Sequence, residues 1–155
     1  MRDNGDVAVR VRLLGPFSVV SGGRAAGPWP RPSARRLCQL VLVSPGRRVS
    51  RDLACDELFP DLDPRAAARS VSKALSMARA ALAGLGEPGE PGEPGERAAS
   101  LLEADLTNIW ASPAIEVDAT EHEQALRAAL ALGPGHERDD LLVAALADDG
   151  ELLAD

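Results

Sequence analysis

Asp63-Pro-Arg-Ala-Ala-Ala-Arg-Ser-Val-Ser-Lys-Ala-Leu-Ser-Met-Ala-Arg-Ala-Ala-Leu82 is the stretch on which the fold turns. Asp63 is an N-cap residue, and Pro64 suits the first helical position, where its missing N–H costs nothing. The spacing predicts a helix from Pro64 to about Gly84. Val71, Leu75, Ala78 and Leu82 follow one another at i, i+4, i+7 and i+11, so they share the face turned to a core. Arg65, Arg69, Ser72, Lys73 and Ser76 fall on the opposite face, and no acid occurs between Pro64 and Leu85. A cationic face with small side chains and no carboxylate can come close to a phosphate backbone. Arginine can also read guanine through paired hydrogen bonds. Against this stands the plainer reading of a solvated basic surface.

Upstream of this helix, Val7-Ala-Val-Arg-Val-Arg-Leu13 alternates at period two and predicts a half-buried strand. Phe17-Ser-Val-Val20 predicts a second, and Ser21-Gly-Gly23 a turn. Pro28, Pro30 and Pro32 delay regular structure until a helix near Ser33, with Leu37, Leu40, Val41 and Ser44 on one face. Pro45-Gly46 ends it. Arg47-Arg-Val49 adds a short strand, and Ser50 caps a helix running through Leu53, Ala54 and Leu58 to Pro60. Arg35 and Arg36 begin the first of these helices, and Arg47, Arg48 and Arg51 flank the second. Helix N-termini add positive potential of their own, so Arg35, Arg36, Arg48 and Arg51 join the candidate phosphate contacts.

Downstream, Gly86 to Gly95 repeats Gly-Glu-Pro, and residues 85–99 are expected to form a flexible loop. Leu101 to Ser112 predicts a hairpin turning at Asp105-Leu-Thr-Asn108, with Trp110 on the second arm. Beyond Pro113, Asp118-Ala-Thr-Glu121 fits a capping box, and Leu126, Ala129 and Leu130 give its helix an apolar face. A second helix carries Leu142, Ala145 and Leu146 towards Gly150. The order strand, strand, helix, helix, helix, hairpin is that of an α+β winged helix-turn-helix. It predicts an N-terminal antiparallel sheet, a hairpin wing and a short all-α helical hairpin at the end.

Charge is divided along the 155 residues. Residues 1–82 carry fourteen basic side chains against seven acids, or +7, and the rest carries three against seventeen, or −14. The front half is suited to a polyanion and the back half would repel one. With apolar residues at 45% and aromatics at only 3%, the core must rest on Leu, Val and Ala. No apolar run reaches the length of a membrane span, and Met1 to Asp6 has no signal-peptide character, so a cytoplasmic location is expected. In a reducing compartment Cys38 and Cys55 are expected as buried thiols, not a disulfide.

Four segments together resemble the SARP-type (antibiotic-regulatory) activators of actinobacteria. They are Val11-Arg-Leu-Leu-Gly-Pro-Phe17, Arg48-Val-Ser-Arg-Asp-Leu53, Glu57-Leu-Phe-Pro60 and Ala74-Leu-Ser-Met-Ala-Arg-Ala-Ala-Leu82. The resemblance covers most of residues 7–113 and continues more weakly through Val117-Asp118 and Gly150-Glu-Leu-Leu153. It implies an OmpR-like winged-helix DNA-binding domain over 5–113 and the start of a helical transcriptional activation domain over 114–155. It also implies binding to direct repeats in promoter DNA and recruitment of RNA polymerase; a dimer on that DNA is a further expectation. By position, Arg65, Arg69, Ser72 and Lys73 match the groove-facing part of the family's recognition helix. Three features depart from the pattern. Phe59 stands where relatives usually have Trp, the Gly-Glu-Pro tract is longer than theirs, and the hairpin carries Glu103 and Asp105 but no Arg or Lys.

An enzyme finds little support in these residues. His122 and His136 lack partners at metal-ligand spacing, and Asp139-Asp140 and Asp148-Asp149 are adjacent, not convergent. Phosphate-loop, nucleophile-elbow and dinucleotide motifs are missing from the sequence, and Asp61 and Asp63 lack the surrounding α/β pattern of a receiver. No catalytic residue, metal or cofactor is expected. The rival reading is a winged-helix protein-interaction module that has lost its affinity for DNA.

Overall fold

In a computed structural model that describes residues 8–85 and 101–146, the period-two segment becomes strand β1 (Arg10–Arg12), with Val11 buried and both arginines exposed. It pairs antiparallel with β2 (Ser18–Ser21), Val11 opposite Val19. Gly22 and Gly23, at φ 56° and 78°, make the turn into β3 (Arg24–Ala25). These are left-handed values that only glycine adopts freely. On the other edge of β1 lies β7 (Glu116–Val117), which runs parallel to it. The sheet order is therefore β3-β2-β1-β7. The antiparallel N-terminal sheet gains a parallel edge strand from far along the chain.

Helix α1 (Pro32–Val43) starts at Pro32 itself, one residue before the expected Ser33. Leu37, Cys38, Val41 and Leu42 are buried, and Ser44 closes the helix by donating its hydroxyl to the Leu40 carbonyl at 2.6 Å. After a 3-10 turn at Pro45–Arg47 come β4 (Arg48–Ser50) and α2 (Arg51–Leu58). The Ser50 hydroxyl oxygen accepts from the Leu53 N–H at 3.1 Å, as the sequence predicted.

Helix α3 (Pro64–Ala83) is capped by Asp63, whose Oδ1 accepts from the Arg65 and Ala66 N–H groups at 3.1 Å each. Its twenty residues give a rod of about 30 Å. Replacing Asp63 by Ala is expected to lower stability by about 1 kcal/mol, read as a shifted urea midpoint at unchanged slope, whereas Asp63→Asn stays near native. An unshifted Asp63→Ala midpoint would show that the cap contributes nothing.

The hairpin consists of β5 (Leu102–Ala104) and β6 (Asn108–Ala111), with β6 also pairing with β4. Asp105 shapes its turn by accepting from the Thr107 and Asn108 N–H groups at 2.7 Å each. The three helices and this second sheet enclose one core, which includes Leu37, Val41, Val49, Val71, Leu82, Leu102 and Ile109. The result is a winged helix. The Gly-Glu-Pro loop and residues 147–155 lie outside the described residues.

Helices α4 (Asp118–Ala131) and α5 (His136–Leu146) pack on each other. The expected capping box does not form: Val117 is the N-cap and Asp118 lies in the first turn. Its carboxylate accepts from the Leu13 and Leu14 N–H groups, at 2.7 and 3.1 Å. A charged acceptor that satisfies two half-buried backbone donors is worth more than a cap on an exposed helix end. Ala129 is buried, but Leu130 and Val143 stay 65% and 69% exposed, so the pair covers little of its own apolar surface.

Candidate nucleic-acid interface

Helix α3 divides as its spacing predicts. Val71, Ala74, Leu75, Ala78 and Leu82 are buried in the core, while Arg65, Arg69, Ser72, Lys73 and Ser76 are all exposed. Among the described residues neither Arg65, Arg69 nor Lys73 makes an ion pair. Ser76 donates its hydroxyl to the Ser72 carbonyl at 3.2 Å, which holds that side chain low on the helix surface. The row is thus a cationic surface with shallow relief. The Asp63 carboxylate caps the start of the helix that carries it.

The flanking arginines are not equivalent. Arg48 lies over the Trp110 ring, 5.0 Å from its centroid, and 3.9 Å from the Asp105 carboxylate. Hydrogen bonds from the Thr107 and Asn108 backbone hold the Asp105 carboxyl below its ordinary pKa, with a smaller contribution from Arg48. The wing has no cation of its own, yet Arg48 of β4 is laid along its second arm. A cleft of about 450 Å³ opens beside that arm, lined by Arg47, Arg48, Trp110 and Pro113. Arg51 is held against the surface: its Nε donates to the Asp105 carbonyl at 2.8 Å and its Nη1 to the Ser72 hydroxyl at 3.2 Å.

Arg35 and Arg36 stand apart from this group. The Arg35 guanidinium lies 5.7 Å from the Phe17 ring centroid, and Phe17 is packed against Trp29. The segment leading to Trp29 is tied to the far end of α3, where the Gly27 N–H donates to the Ala81 carbonyl at 3.2 Å. Ala81 is about 24 Å along the helix from Arg65. Arg36 is exposed on α1.

Two further arginines make ties that the sequence reading did not anticipate, although Arg47 was already noted beside the second helix. Arg79 donates from Nε to the Leu102 carbonyl at 2.8 Å, tying α3 to the wing, and the Arg47 guanidinium donates to the Ile115 carbonyl. Neither tie has a periodic signal, because each acceptor is a backbone carbonyl more than twenty residues away.

Burial pushes the Cys38 thiol up to about 12, so it stays protonated and inert. Cys55 is only half-buried, against expectation, and is also raised, by burial first and then by Asp52 and Asp56. Both thiols are free. Among the described residues no group of His, Cys, Asp and Glu could hold a metal ion, and no helix is long and apolar enough to cross a membrane.

Over 96% of its length the chain matches Mycobacterium tuberculosis EmbR, solved in complex with a low affinity phosphopeptide, at a TM-score of 0.67. The two share the fold. Identity is 23%, and the match spans 38% of the EmbR chain. No protein-family model and no curated protein matches the sequence.

Proposed function

We propose that this chain is a sequence-specific DNA-binding regulator of transcription, with α3 lying in the major groove. The observation that carries the reading is the exposed row Arg65, Arg69, Ser72, Lys73 and Ser76 opposite a fully buried stripe, its three cations unpaired among the described residues. Arg65, Arg69 and Lys73 meet phosphates and base edges, while the serines keep the surface shallow enough for the groove. Arg48, in β4 and laid along the wing's second arm, adds a flanking phosphate contact. The likeness to EmbR supports the fold that this reading needs, and the four segments quoted above support an activator of the SARP type.

Under this reading the DNA-binding unit corresponds to the domain expected over 5–113, and 114–155 begins a helical activation domain. Promoter direct repeats, a dimer on them and contact with RNA polymerase complete the proposal, which places the protein in the cytoplasm and assigns it no catalysis. The test is affinity for random duplex DNA across a salt series. About five phosphate contacts give a slope of log K against log[salt] of −4 to −5. A flat response would leave the winged-helix interaction module as the surviving reading.

A further inference from the structure

Arg51 was expected to touch phosphate, because it opens α2 beside other cations. Its surroundings give it different work. The backbone N–H of Arg51 donates to the Thr107 carbonyl at 2.8 Å, its Nε to the Asp105 carbonyl at 2.8 Å, and its Nη1 to the Ser72 hydroxyl at 3.2 Å. One residue thus holds the wing turn by two bonds and the exposed face of α3 by a third. Ser72 lies between Arg69 and Lys73 in sequence, so the third bond lands within the row that faces the groove.

We propose that Arg51 is a positioning residue that fixes the wing relative to the DNA-facing row of α3, and so sets which duplexes fit both at once. The inference rests on the DNA-binding reading. Its chemistry follows from the guanidinium, whose planar fork presents Nε and Nη1 donors at a fixed angle to two acceptors on separate elements. A lysine ammonium keeps the charge but cannot span both. Arg48 reaches Trp110 and the Asp105 carboxylate, and Arg79 reaches the Leu102 carbonyl, but in none of these contacts does either side chain engage the exposed row of α3. Arg51 alone of the three bridges the wing and that row.

The experiment compares the native chain with Arg51→Ala and Arg51→Lys in two measurements. Amide hydrogen exchange on the protein alone reads the wing, at residues 102–108. Salt-series titrations read affinity for a duplex selected from a random library by the native chain, and for a random duplex. Both variants are expected to speed exchange at 102–108 several-fold and to reduce the selected-to-random affinity ratio about tenfold, with an unchanged salt slope. A phosphate contact gives the opposite pattern. Arg51→Ala then loses about 0.9 from the slope, Arg51→Lys behaves as native, and exchange at the wing does not move; that result overturns the proposal. If the native chain has no affinity for duplex DNA, the DNA-binding reading fails. The exchange measurement still decides on the tie, which unchanged exchange in both variants would refute.

Discussion

Replacing Arg69 and Lys73 together by alanine is expected to abolish discrimination between a selected duplex and a random one, with the fold left intact. Both side chains are exposed and point away from Val71 and Leu75, so their loss removes charge from the surface and nothing from the core. Two lost phosphate contacts lower the salt slope by about 1.8, and a lost bidentate base contact removes about 1–3 kcal/mol of discrimination. Exposed substitutions of this kind stay within about 0.5 kcal/mol of native stability. Fluorescence anisotropy with labelled duplexes reads the binding, and circular dichroism reads the helices. A double variant that binds as the native chain does would remove these two residues from the interface, and one that unfolds would reverse the facing assigned to α3.

Leu37→Ala carries the largest expected effect on stability. Leu37 is 0% exposed, in the middle of α1 and in the core that α1 shares with α3. Truncating a leucine there costs about 2–5 kcal/mol, because transfer energy is lost and the space left behind closes only in part. Against the 5–15 kcal/mol of an ordinary domain, roughly a third of the stability would go. Leu106, 95% exposed at the wing tip, provides the control. Leu106→Ala should leave the urea midpoint where it was, and Leu37→Ala should move it far down. Equal midpoints for the two would mean that the α1–α3 core does not hold the fold together.

The parts of this structure that were legible in the sequence are those whose causes are local. The caps at Ser50 and Asp63, the two faces of α3 and the turn at Asp105 each depend on residues within a few positions of one another. Long-range causes left no such trace. β3 and β7 have two residues each, too few for a period, and β7 pairs with a strand more than a hundred positions away. Asp118 satisfied the pattern of a capping box, yet its carboxylate serves Leu13 and Leu14, because two half-buried amides outcompete one exposed helix end. The site was legible to the same extent. The exposed cationic row follows from helical spacing, but charge alone could not separate Arg51, held by the wing and Ser72, from Lys73, which faces solvent.

The pairing of β7 with β1 also bears on where the chain can be divided. A cut after Pro113 would separate β1 from its parallel neighbour and leave the Leu13 and Leu14 amides without their acceptor. The strand thus bared is a ready template for pairing with another molecule. A fragment meant to keep the winged helix intact is therefore expected to need the chain past the wing as far as Asp118, because β7 and the first turn of α4 complete the N-terminal sheet.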